Sequence, residues 1–174
     1  DFYEYTATPT EALGVGVVLT IPAAGSESSN STVISNMDLQ LKRGLTTELV
    51  RPRFALMNPV LTYTLPPYQT ACGAADIMAH IMERYFTNVR SVDFTDQLCE
   101  AGLRVIINNI PRVLANPEDY DARAEIMWTG AVAHNNLFDT GREGDWASHG
   151  IEHEISAIYD VAHGAGLAVV FPAW

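Results

Sequence analysis

Residues 63–86 read YTLPPYQTACGAADIMAHIMERYF, and this stretch divides the chain into two kinds of structure. Before about residue 65 the apolar residues come in short runs bounded by Gly, Pro, Asn or Ser. VGVVLTI (15–21), STVIS (31–35), LQLKR (39–43) and RFALMN (53–58) each predict a strand. From Pro67 the period becomes helical. Ala75, Met78, Ala79, Met82 and Phe86 recur at i, i+3, i+4 spacing, which predicts a helix of about five turns. Leu98, Leu103, Val105, Ile106 and Ile110 predict a second helix ending near Pro111 or a little beyond. PEDYDARAEIMWTGAVAHNN (117–136) predicts a third, opened by Pro117 and acidic first-turn residues. The expected organisation is an α/β piece over residues 1–65 followed by an all-α piece over residues 66–174.

The chain has 174 residues, 48% hydrophobic and 18% charged, which is the composition of a folded globular protein. Its net charge of −11, without any basic run, argues against a nucleic-acid partner. Cys72 and Cys99 form neither a disulfide framework nor a C-x-x-C motif, which fits a reducing cytoplasm. DFYEYTATPT at the start is not a signal peptide, and the longest apolar run, ALGVGVVLTIPAA, is too short to span a bilayer. A soluble protein without membrane contact is expected. The uncovered apolar end GLAVVFPAW (166–174), and a start that leads straight into a strand, read as a piece of a longer protein.

Three stretches carry chemistry. Asp76 and His80 are four apart, so on a helix they share one face. An ordinary Asp–His pair is one reading, but the flanking Ala74, Ala75, Ile77 and Ala79 make an enclosed carboxylate costly unless it is paired or metal-bound. DWASHGIEHEISAIYDVAHG (145–164) holds His149, His153 and His163. On one unbroken helix His149 and His163 would be separated by about 21 Å, so sharing an ion requires the chain to fold back between them. Gly164 and Gly166 would let a new helix begin there. Three histidines and an aspartate suit Zn²⁺ or Fe²⁺; solvated or core-satisfied histidines are the alternative. LTIPAAGSESSNSTVIS (19–35) runs from a strand into a hydroxyl-rich loop suited to phosphate contacts, or to being simply a loop. It is neither a G-x-G-x-x-G nor a Walker loop. His134 reads as a helix-end residue with no partner at ligand spacing, structural or exposed. Trp128 and Trp146 read as packing residues, Cys72 as a small buried one, and Met78 and Met82 as core.

In this order and spacing, the D-x-x-x-H of residues 76–80 and the H-x-x-x-H-x(9)-H of residues 149–163, with GVVLTIPAAGSESSNSTVIS (16–35), resemble the iron-containing (group III) alcohol dehydrogenase family. The similarity covers nearly the whole chain and is strongest to the NAD(P)H-dependent butanol dehydrogenase and aldehyde reductase branch. It implies the remnant of a nucleotide-binding α/β domain followed by the start of a helical metal domain, in a dehydroquinate synthase-like architecture. It implies Asp76, His80, His149 and His163 as ligands of Fe²⁺ or Zn²⁺, with His153 near the substrate as a proton relay. Thr20, Gly25 and Ser26 would contact NAD(H) or NADP(H), and Lys42 its ribose or phosphates. Leu61 stands where a relative can carry Tyr. Glu152 or Glu154 could orient a histidine, although solvent-facing helix charges are the stronger expectation. The implied reaction is hydride transfer between the nicotinamide and an alcohol or aldehyde such as butanol or butanal, in a homodimer, with the ion polarising the substrate oxygen. A glycerol dehydrogenase-like or dehydroquinate synthase-like enzyme, or a non-catalytic metal-binding chain, are the alternatives. Members of the family are longer and carry a Gly-Gly-Gly-Ser-type pyrophosphate loop that is absent here, and helices beyond residue 174 complete their pocket. Residues 1–174 alone are therefore expected to be inactive.

Overall fold

The computed structural model describes residues 2–174. The helical part consists of α1 (Pro67–Tyr85), α2 (Asp93–Ala115), α3 (Tyr120–Ala133), α4 (Ala147–Tyr159) and α5 (His163–Ala173). Upstream lie β1 (Gly16–Val18), β2 (Ser31–Asn36), β3 (Leu41–Thr46) and β4 (Phe54–Leu56), one in each of the four expected runs. The strands pair as two separate ladders: β1 runs parallel to β4, with Gly16 opposite Phe54, and β2 antiparallel to β3. The β2–β3 turn is set by the Asn36 side chain, which accepts the Leu39 N–H at 3.1 Å, and by Gln40 at a left-handed φ of 50°. The chain is thus mostly helical, and the strands do not join into one layered sheet.

Helix α1 starts where Pro67 occupies the first turn, a position needing no N–H partner. One of its faces is apolar. Ala74, Ile77 and Ile81 bury against Cys99, Ile106 and Val113 of α2 and Ala122, Ile126 and Ala133 of α3, with Phe138 closing the cluster. Each large apolar side chain buried this way contributes about 1.5–3 kcal/mol. Helix α2 continues through Pro111 to Ala115. The bond lost there belongs to the carbonyl of Ile107, whose residue lies at the exposed surface. Helix α3 starts at Tyr120 and not at Pro117, because the Asp119 carboxylate caps it by accepting the Ala122 N–H at 3.0 Å. Met78 and Met82 are half-buried and line an apolar groove with Leu167 and Phe171, and Met78 also packs against the core cluster. Trp128, expected as a packing residue, is 64% exposed. No helix among the described residues is long and apolar enough to cross a membrane.

The chain does reverse between His149 and His163, and a new helix begins at His163 as expected. Asp160 makes the turn: it caps α4 in the left-handed conformation, φ 52°, and its N–H bonds back to the Ser156 carbonyl. Gly164 acts through its size. A Cβ there would stand 1.9 Å from the Cys72 carbonyl oxygen, so only glycine lets the start of α5 lie against the backbone of α1. That contact places His163 beside Asp76.

Candidate metal centre

Asp76, His80 and Glu83 follow one another at i, i+4 and i+7 along the second face of α1, and all three are buried. Helix α4 brings His149 against this face and α5 brings His163. The Asp76 Oδ1 atom lies 3.5 Å from His80 Nε2, 3.5 Å from His149 Nε2 and 3.6 Å from His163 Nε2. Around a tetrahedral ion with bonds of about 2.1 Å, neighbouring donor atoms stand about 3.4 Å apart. The carboxylate oxygen is therefore one donor spacing from three imidazole nitrogens, and the ligand atoms of Asp76, His149 and His163 all lie within 4.8 Å of one another. Asp76 Oδ1 and His149 Nε2 are buried without a hydrogen-bond partner. These two orphaned atoms stand 3.5 Å apart, an arrangement that a bound cation would satisfy. The donor set fits Fe²⁺ or Zn²⁺.

The electrostatics agree. Burial pushes the Asp76 carboxyl up, but His80 foremost, with His149 and His163, outweighs it and holds the group well below the usual carboxylate range. Burial holds His80 well below the ordinary imidazole value, so it presents a lone pair at neutral pH. Burial also disfavours a proton on His149, yet Asp76 and Glu83 more than compensate and raise it to about 9.

His153 stands apart from this set. Its half-buried ring is 5.3 Å from that of His163 and 6.1 Å from that of His149. Burial, then the Lys42 charge and the neighbouring histidines, lower it to about 4, so it is a neutral base at pH 7. Glu152, His153 and His163 form a second group with ligand atoms within 4.8 Å. Glu152 and His163 are already in contact there through Oε2 and Nδ1, whereas a cation facing Asp76 Oδ1 breaks none of the contacts on the histidine Nδ1 edges.

The donors open into a cleft of about 730 Å³ whose far wall is the β2–β3 hairpin and the loop before it. Among the expected cofactor contacts, Ser26 is exposed and lines the cleft. Gly25 makes the turn beneath it at φ 65°, its carbonyl accepting the N–H groups of Ser28 and Ser29. Thr20 is exposed just after β1, outside the cleft lining. Lys42 reaches across from β3: its Nζ donates to Ser156 Oγ at 2.9 Å and lies 3.4 Å from Glu152 Oε2 and 3.3 Å from His163 Nδ1. Leu61 is exposed on a short turn, Pro59–Thr62.

Glu152 differs from its sequence reading, and His134 and Trp146 make contacts that the sequence does not report. Glu152, expected in solvent, is completely buried and holds the Nδ1 edge of His163; only Glu154 is exposed. His134, expected as a structural or exposed helix-end residue with no partner at ligand spacing, does stand at the end of α3, where it stacks on His80 with centroids 4.2 Å apart and receives Arg84 Nη2 at 3.0 Å on its Nδ1. Burial and the Arg84 charge lower it to about 4. Trp146 packs its edge against His80, His134 and His149, and the Arg84 guanidinium lies 4.5 Å from its ring centroid. Glu83 escaped the sequence reading altogether. Its position three residues after His80 on the same helical face was the available signal.

A helical part that buries one carboxylate among three imidazoles at the wall of a cleft has donor chemistry suited to a metal ion, and comparison with known proteins gives the family. The model described as "Fe-containing alcohol dehydrogenase family, C-terminal" matches residues 70–174, and the chain belongs to that family. It is 42% identical over 166 residues to the probable NADH-dependent butanol dehydrogenase 1 of Bacillus subtilis, covering 95% of this chain and 43% of that protein. It is 41% identical over 162 residues to the NADPH-dependent aldehyde reductase YqhD of Escherichia coli, covering 93% of this chain and 42% of that protein. The crystal structure of NADH-dependent butanol dehydrogenase A from Thermotoga maritima superposes with a TM-score of 0.97 at 39% identity, over 100% of this chain and 44% of that one. The chain thus spans less than half the length of these relatives.

Proposed function

We propose that the chain supplies the metal-holding part of an NAD(P)H-dependent alcohol dehydrogenase or aldehyde reductase acting on primary alcohols and aldehydes such as butanol and butanal. The observation that carries this reading is Asp76 Oδ1 standing one donor spacing from three imidazole Nε2 atoms at the wall of an open cleft. Asp76, His80, His149 and His163 would hold Fe²⁺ or Zn²⁺, and the bound ion would supply Lewis acidity toward the substrate oxygen. His153, neutral and beside the donors, would take the alcohol proton in oxidation and return it in reduction. Residues 1–65 would finish the dinucleotide domain, with Ser26 and Lys42 on the cofactor side of the cleft, Gly25 in the turn beneath Ser26 and Thr20 contacting the cofactor from just outside the cleft lining; hydride transfer is the nicotinamide's own chemistry. The relatives' names, one NADH-dependent and one NADPH-dependent, support a nicotinamide without choosing between the two. The working enzyme would be a homodimer, and residues 1–174 alone would bind metal without turning over substrate.

Metal content tests this reading. Purified chain should carry about one divalent ion, and Asp76→Ala and His163→Ala should each weaken its retention more than about 100-fold, beyond the range typical of outer-sphere changes. Undiminished metal in both variants would refute the shared site.

A further inference from the structure

The geometry points to Glu83 and Glu152 as a pair of positioning residues that grip His149 and His163 by their Nδ1 edges and so commit both Nε2 atoms to one cation. This inference rests on the metal reading above and adds to it the residues that orient the donors. Glu83 is 1% and Glu152 0% exposed, so neither is a surface charge that happens to lie nearby. A carboxylate buried this deeply is costly unless it is paired. Glu83 uses both oxygens on one residue: Oε1 accepts the His149 backbone N–H at 3.0 Å, and Oε2 contacts His149 Nδ1. Glu152 Oε2 contacts His163 Nδ1 and lies 3.4 Å from Lys42 Nζ, while its Oε1 is buried without a hydrogen-bond partner. A neutral imidazole has a single N–H. With a carboxylate against Nδ1 that hydrogen sits on Nδ1, and the Nε2 lone pair is left to face Asp76.

The two grips differ in what stands behind them. Glu83 comes from α1, the helix that also carries Asp76 and His80, so one rigid element sets three positions of the centre at once. Glu152 comes from α4 and is pressed into place by α5, where a Cβ on Gly166 would come within 2.7 Å of its Cγ and Oε1. Its Lys42 contact adds a tie to the β2–β3 hairpin. His80 has no such carboxylate. Its buried Nδ1 is unpartnered, and it is held instead between the ring of His134 at 4.2 Å and that of His149 at 4.8 Å. Orientation of the three imidazoles therefore relies on two carboxylates and one stack.

Glutamine separates positioning from simple filling of space. Glu83→Gln keeps the shape but replaces one acceptor by an NH₂ group. It must then either lose the His149 backbone bond or place a donor against Nδ1, which moves the ring hydrogen to Nε2 and blocks the cation. Co²⁺ titrated into the 174-residue chain, with a chelator competitor, reads affinity, and its visible absorption reads geometry. The expected result is about 10–100-fold weaker Co²⁺ binding for Glu83→Gln and for Glu152→Gln, with an altered absorption envelope. Variants that bind within twofold of the unmodified chain with an unchanged spectrum would overturn the inference while leaving the metal centre standing. An unmodified chain that binds no Co²⁺ would instead overturn the metal reading itself. Should the variants fail to fold, long-range ¹H–¹⁵N correlations of the unmodified Zn²⁺-loaded chain decide: hydrogen on Nδ1 of both His149 and His163 supports the assignment, and hydrogen on Nε2 of either refutes it.

Discussion

The two faces of α1 are buried to the same degree and held by opposite physics. Ile77 and Ile81, both 0% exposed, point into the core with α2 and α3, where any well-shaped apolar neighbour satisfies them. Asp76, His80 and Glu83, 1–4% exposed, point at α4 and α5, where satisfaction depends on direction and on a few tenths of an ångström. Burial of the first face is favourable in itself. Burial of the second costs desolvation that only paired charges, hydrogen bonds or a bound cation return. A helix with one face of each kind lets the fold be anchored by its inexpensive side while its costly side is kept in register for chemistry.

The contrast breaks most completely at Gly164, where the polar face meets α5. Gly164→Ala would drive a methyl into the Cys72 carbonyl, and neither backbone can yield without moving a helix. Overpacking of a flexible core costs about 1–3 kcal/mol, and a backbone-on-backbone clash should exceed that range. The expected outcome is a lower melting temperature together with loss of divalent metal. A variant with normal metal content would show that α5 can lift without dragging His163 away.

Next in size is Ile81→Ala on the apolar face. Removing a fully buried isoleucine should cost about 2–5 kcal/mol in urea unfolding. Metal affinity should stay within about threefold of the original, since sites without shared partners act almost independently. A large loss of metal affinity with little loss of stability would reverse the division between the faces.

The polar face should also answer to pH in a way the apolar face cannot. In the metal-free chain His149 is raised to about 9, so its contribution to stability is complete below its unfolded value near 6.5 and is lost as pH rises through about 9. His134 and His153, lowered to about 4, act in the other direction: their contribution is complete above about 6.5 and is lost as pH falls toward 4. Metal-free stability should therefore be greatest between about pH 5 and 8. Ligation requires His149 to give up its proton, so calorimetry in buffers of different ionisation enthalpy should show about one proton released per metal near pH 7.5, and fewer above pH 9. No proton release at pH 7.5 would mean that His149 is already neutral in the metal-free chain, contrary to its two carboxylate contacts.

How much of this could be read from the chain follows from the same contrast. The apolar face was legible because a 3.6-residue period is a local property, and the Asp76–His80 pair was legible because four residues make one turn. The grouping of Asp76, His80, His149 and His163 came from the resemblance; spacing alone required only a reversal before His163. The start of a helix near Gly164 was legible, but the turn made by Asp160 was not, and Gly164 serves an approach to Cys72 that no local pattern reports. Glu152 looked like a solvent charge because Glu154 follows it two residues later on the same helix, and its burial depends on Gly166 and Lys42, which lie 14 residues after it and 110 residues before it. His134 was set aside for lacking a ligand-spaced partner, whereas its partner is a ring 54 residues earlier in the chain. Contacts made between elements decided each miss.

The smallest expected effect lies where the polar face meets the hairpin. Lys42 is 14% exposed at its side chain and shares Glu152 with His163, so it is a tie between β3 and the centre and not a donor to it. Its charge is one of the causes, after burial, that keep the His153 proton off. Lys42→Met keeps most of the aliphatic stem and removes that charge. In the metal-free chain the His153 value should then rise from about 4 toward the ordinary imidazole value, read directly by NMR titration of its ring protons. Melting temperature should change little, because Glu152 keeps its contact with His163. If His153 does not move, burial alone sets its basicity, and the hairpin has no electrostatic hold on the residue expected to handle the proton. If it does move, a residue on the cofactor side of the cleft tunes a base on the metal side, and the two walls act on one proton.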